Sequence, residues 1–116
     1  MTILNDVTLE QGAKILKLLG DKTRLNIVSI LMHDECCVCE LVEVLQMSQP
    51  SISQHVAKLK SAEIVKERRQ GQWIFYRINE SVSVYPLVKS IVNHFPDQQE
   101  VIRNLEKQGL RVCCDN

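Results

Sequence analysis

The chain has 116 residues, 45% of them apolar, enough to bury one core and too few for two full domains. No apolar run approaches the roughly 18–20 residues of a membrane-spanning helix, and no charged stretch followed by an apolar one marks a secretion signal, so a cytoplasmic location is expected. Net charge is zero, yet residues 1–47 carry 4 basic and 7 acidic side chains, residues 48–78 carry 6 and 2, and residues 79–116 carry 4 and 5, so a neutral total does not exclude a nucleic-acid partner.

Leu9, Ala13, Leu16 and Leu19 recur with helical period and predict a first helix that Gly20 ends. Asp21 is a good N-cap for a second helix reaching about His33, apolar around much of its circumference through Leu25, Ile27, Val28, Leu31 and Met32. Glu40 to Gln46 supplies a short third helix with Leu41, Val44 and Leu45 inward, and Met47-Ser48-Gln49 is a turn. Ser48 then caps a fourth helix, with Pro50 in its first turn and Ile52, Val56 and Leu59 at i, i+4 and i+7. At about 100° per residue these three lie within roughly 60° of arc, leaving Ser51, Gln54, Lys58 and Ser61 opposite.

Ile64 to Arg69 and Trp73 to Ile78 read as strands of a hairpin turning at Gln70-Gly71, with Arg68, Arg69 and Gln72 crowding its tip. Pro86 opens a fifth helix with a stripe of Leu87, Val88, Ile91, Val92 and Phe95, which Phe95-Pro96 stops. Asp97 and Glu100 resemble a capping box for a sixth, more polar helix up to Gly109.

Two short helices joined by a tight turn and followed by a basic hairpin predict a winged helix-turn-helix, mainly α with one β-hairpin. A helix fits the major groove, small polar side chains on its outer face reach base edges, and an arginine-bearing hairpin reaches the flanking backbone or minor groove. Ser51 and Gln54 are expected at bases, with Gln49, Ser53 and His55 at the edges of that face. Lys58, Arg68 and Arg69 are expected at phosphates, beside Gln72. His55 lies about 60° from the centre of the apolar stripe, so it either packs inward or reads a base. The partner implied is double-stranded DNA. Catalysis is not expected: there is no Cys-x-x-Cys in a βαβ setting, no Ser/His/Asp set and no phosphate loop.

Five cysteines form two clusters, Cys36/Cys37/Cys39 and Cys113/Cys114. Adjacent cysteines do not pair with each other without strain, and the odd count argues against a secreted disulfide framework, so reduced thiols are expected. Thiolates suit soft or borderline cations such as Cu(I), Zn(II) and Cd(II), and by the same softness As(III) and Sb(III). Cys37 and Cys39 are i and i+2, about 200° apart on an ideal helix, so one ion is chelated only from an irregular helix start. Ligation is thus expected to distort the third helix, which positions the fourth, and to weaken DNA binding.

Cys37-Val38-Cys39-Glu40-Leu41 before a helix, followed by Ser48-Gln49-Pro50-Ser51-Ile52-Ser53-Gln54-His55, resembles the ArsR/SmtB family of metalloregulatory repressors. The resemblance runs from Leu9 to about Phe95. It implies one winged helix-turn-helix domain over 1–116, with the helix-turn-helix at about 40–62, the wing at about 64–78 and a C-terminal helix and tail over 97–116. It also implies a homodimer built by helices at about 8–20 and 84–95, and a repressor that leaves its operator on binding As(III) or Sb(III) at Cys37 and Cys39. Some arsenical repressors carry a further cysteine where this chain has Val42, so the third ligand stays open between Cys36, Cys113 and Cys114. Cadmium and lead sensors of the family add thiols from an N-terminal extension, which this N-terminus lacks; zinc sensors use an Asp/His pattern for which His94 and Asp97 are a poor match. A thiol redox or persulfide sensor of the same fold is the other alternative, since clustered thiols at a helix start are reactive.

Overall fold

The structure, a computed structural model, describes residues 7–96 and 99–109. In chain order it runs α1 (Leu9–Leu19), α2 (Lys22–Leu31), β1 (Cys36–Cys37), α3 (Val38–Leu45), α4 (Gln49–Ser61), β2 (Val65–Gln70), β3 (Trp73–Ile78), α5 (Tyr85–Val92) and α6 (Gln99–Lys107). The helices and hairpin expected from the sequence are present. Asp97 of the expected α6 capping box lies outside the described residues, as do Cys113 and Cys114.

Local chemistry sets the helix starts. Thr8 and Gln11 cap α1 reciprocally: the Gln11 N–H donates to Thr8 Oγ1 at 3.1 Å and the Thr8 N–H to Gln11 Oε1 at 2.9 Å. The Asp21 carboxylate accepts from the Arg24 N–H at 3.0 Å to start α2, and that hydrogen bond, with the Arg24 charge as a lesser cause, holds the carboxyl below its usual range. Ser48 caps α4 as expected, accepting from the Ser51 N–H at 3.3 Å.

Some boundaries differ from expectation. Helix α2 ends at Leu31 and α5 at Val92, short of His33 and Phe95, and Phe95 is 47% exposed rather than part of the buried stripe. Helix α3 starts two residues early, at Val38. The hairpin turns at Gly71-Gln72, because Gln70 pairs with Trp73; Gly71 takes a φ of 61°, the left-handed region that glycine enters without a Cβ clash.

The core is built on α2, whose Ile27, Val28 and Ile30 are fully buried, with Ile52, Val56 and Leu59 of α4 packed in the same cluster. Between α4 and β2 the chain reverses at Glu63, a non-glycine residue at φ 62°. Asn79 secures that turn: its Nδ2 donates to Glu63 O at 2.9 Å and its N–H to Ile64 O at 2.8 Å.

The largest addition to the expected architecture is a third strand. Cys36 and Cys37 pair antiparallel with Tyr76 and Phe75, so the wing is the outer part of a three-stranded sheet ordered β1-β3-β2. No alternation announces a strand of two residues. It exists because β3 has a free edge on the side away from β2, where unpaired N–H and C=O groups need partners.

Candidate thiol site and nucleic-acid interface

Cys37 ends β1 and is also the N-cap of α3, with extended dihedrals of φ −86° and ψ 168°. Cys39 stands in the first turn of the helix. The helix therefore begins between the two thiols, and the separation of about 200° that would hold along a continuous helix does not apply. Their Cα atoms are 5.4 Å apart and their sulfurs are paired as a disulfide. One expectation changes accordingly: the two sulfurs meet while α3 stays a regular helix through Leu45. Cys37 is buried and Cys39 is exposed, so the pair opens to solvent on one side.

Glu40 fixes this corner. Its carboxylate is 1% exposed and accepts from the Cys37 N–H at 2.9 Å, satisfying a donor that the helix start leaves without a helical partner. The negative charge also sits at the positive end of the helix dipole. Composition does not reveal this role, because an isolated Glu in a short amphipathic helix reads as solvated.

Cys36 does not join the other two thiols. Successive strand residues point to opposite faces, and Cys36 enters the main core cluster, fully buried, while Cys37 faces the other way beside Phe75. As a third ligand next to Cys37 it is therefore disfavoured by the pleat. Among the described residues no group of three or more His, Cys, Asp or Glu side chains is placed to hold a metal.

On α4, Gln49, Ser53, Gln54 and Lys58 are exposed, as a reading surface requires, whereas Ser51 is half-buried beside the cap. His55 is also half-buried, its Nδ1 3.3 Å from Arg24 Nη1, so it turns toward α2. Gln72 is exposed at the wing tip. Arg69 is 70% exposed and stands 3.7 Å from Glu67 Oε2. Glu67 also accepts from Lys60 at 2.5 Å, a hydrogen bond that lowers its pKa, so part of the cationic surface is locally neutralised. Arg68 is engaged instead: Nε and Nη2 meet both oxygens of Glu35 at 3.0 and 3.1 Å, and its guanidinium lies 4.7 Å from the Phe75 ring centroid.

A turn-linked helix pair with the second helix exposed, followed by a hairpin wing, defines a winged helix-turn-helix. The model of the arsR family of bacterial regulatory proteins matches residues 21–67. The chain is 46% identical over 109 residues to the arsenic resistance transcriptional regulator ArsR2 of Pseudomonas putida, covering 86% of this chain and 95% of that one. It is 37% identical over 101 residues to the arsenical resistance operon repressor of Escherichia coli, covering 83% and 86%. It spans 64% of the length of a further Pseudomonas putida relative, ArsR1, at 40% identity over 82 residues that make up 68% of this chain. Among solved structures it is similar to the homodimeric winged helix-turn-helix DNA-binding domain Mb0332 of Mycobacterium bovis, at 30% identity and a TM-score of 0.61 over 80% of this chain and 91% of that one. The chain belongs to the ArsR family of bacterial transcriptional regulators. Among the described residues no helix is long and apolar enough to cross a membrane.

Proposed function

We propose that the chain is a DNA-binding transcriptional repressor that leaves its operator when As(III) or Sb(III) binds the thiolates of Cys37 and Cys39. The observation that carries this reading is the corner at Cys37, which brings two soft donors together at the start of the helix preceding the reader helix. The names of the relatives as arsenic and arsenical resistance regulators support the choice of metalloid. The reduced pair is the competent form, since a joined pair has no thiolate to offer. Because Cys36 lies in the core, the third position on the metalloid falls to Cys113, Cys114 or a small thiol from solution.

Gln49, Ser53, Gln54 and Lys58 face the DNA, with Arg69 and Gln72 reaching it from the wing, while Ser51 and His55 support the reader helix from its inner edge. The active form is a homodimer. Helix α1 leaves Leu9 93% and Leu16 58% exposed on one stripe, and a second copy covers such a face. A gel shift with a DNA duplex selected by this chain from a random pool tests the reading. The reduced parent should release the duplex on arsenite, whereas the Cys37→Ser/Cys39→Ser variant should hold it. Release from that variant at the parent's arsenite concentration places the sensor elsewhere.

A further inference from the structure

Arg68 stands where the sequence predicts a phosphate contact, but its guanidinium is committed within the protein. Both oxygens of Glu35 meet it in a fork at 3.0 and 3.1 Å, Gln70 Oε1 accepts from Nη1 at 2.5 Å, and the guanidinium covers Phe75. Glu35 immediately precedes β1, and Arg68 is in β2, the far strand of the sheet. The ion pair therefore bridges across β3. The register adds a second connection: Cys37 pairs with Phe75 and Phe75 with Arg68, so these three side chains form one row on one face of the sheet.

We infer that Glu35 and Arg68 are the pair through which ligation at Cys37 reaches the wing, Arg68 being a positioning residue rather than a phosphate contact. The inference rests on Cys37 and Cys39 being the inducer site. Cys37 is strand end and helix cap together, so any backbone displacement on ligation would be felt by β1 and α3 at once. Strand β1 is only two residues long, so its pairing with β3 is a weak tether. The bidentate ion pair, half-buried with side-chain exposures of 35% and 29%, adds a tether between the thiol strand and β2. With it intact, a displacement of β1 moves the wing; without it, β1 shifts alone and the wing keeps its place on DNA.

Glu35→Gln and Arg68→Lys are conservative tests, because the first keeps the side-chain shape without the charge and the second keeps a positive charge while losing the fork. Anisotropy of the pool-selected duplex is measured on the full chain, with and without sodium arsenite, over a salt series. Arsenite stoichiometry is measured without DNA. Both variants should bind arsenite as the parent does, hold the duplex within about threefold of it and keep its salt slope, whereas Lys58→Ala lowers that slope by about one. The arsenite-driven loss of affinity, about 5–150-fold for an ordinary allosteric coupling, should fall to under a third of the parent's in each variant. The double variant should fall no further, as expected of one pair.

An undiminished arsenite response in both variants overturns the inference and leaves the thiol reading standing. So does an Arg68→Lys or Arg68→Met variant whose salt slope falls like that of Lys58→Ala, and so does loss of DNA binding by both conservative variants. A reduced parent that binds no arsenite overturns the thiol reading and the coupling together.

Discussion

Glu40→Ala removes the carboxylate that caps the Cys37 N–H, and its cost follows from burial. The acceptor is 1% exposed and 2.9 Å from the donor, so water does not simply replace it. Hydrogen bonds to charged groups contribute about 1.5–3 kcal/mol, and leaving a buried donor unsatisfied costs a similar amount, which puts the expected loss at about 2–3 kcal/mol. For a domain of this size each kcal/mol moves Tm by about 4–8 °C, so Tm should fall by roughly 8–24 °C. Glu40→Gln keeps an oxygen in the same place and should lose less than half as much. Circular-dichroism melts in excess reductant measure this without interference from the Cys37–Cys39 bond. Hydrogen exchange should show the first turn of α3 loosened in Glu40→Ala, since an eight-residue helix has little stability of its own. A Tm within about 3 °C of the parent, or equal damage from the alanine and glutamine variants, refutes the capping argument.

Cys36→Ala should cost about 1 kcal/mol in chemical denaturation and Cys36→Ser about 2 kcal/mol, because serine places a hydroxyl at a fully buried position. Both should retain the parent's arsenite stoichiometry by mass spectrometry; loss of bound metalloid would restore Cys36 as a ligand. Asp21 has a folded pKa below its usual 3.8, set first by the Arg24 N–H, so its charge contributes stability above that value and loses it as pH falls through the folded pKa. Asp21→Asn keeps a capping side chain without the charge, so the Tm gap to the parent should narrow as pH drops below about 4; a gap that widens reverses the sign. Leu16→Glu puts a charge in the exposed stripe of α1, and light scattering should report a monomer with operator affinity reduced at least tenfold. A dimer that persists at micromolar concentration removes α1 from the interface.

The helix-turn-helix was legible because its determinants are local. Ile52, Val56 and Leu59 define one face of α4 by spacing alone, and all three are buried in the core cluster. Trp73 to Ile78 favoured a strand by side-chain type, and its bounds match. The spacing of His55 does not choose between its two roles, since a residue at the border of a stripe turns in or out according to its neighbours. Arg24, 31 positions away, accounts for the inward turn. Charge alone points Arg68 to phosphate, but the carboxylate that engages it lies 33 positions earlier.

Sequence by itself determined the order of the six helices and the hairpin, the cationic middle third and the presence of clustered thiols, because periodicity, capping chemistry and charge are read within a few residues. Only the tertiary structure decided how those thiols relate. Pairing of Cys36 and Cys37 with the open edge of β3 places the start of α3 between Cys37 and Cys39 and turns Cys36 into the core. The physical reason is that a two-residue strand carries no pattern of its own: backbone groups on a strand edge nearly forty residues away in sequence settle which way each sulfur faces.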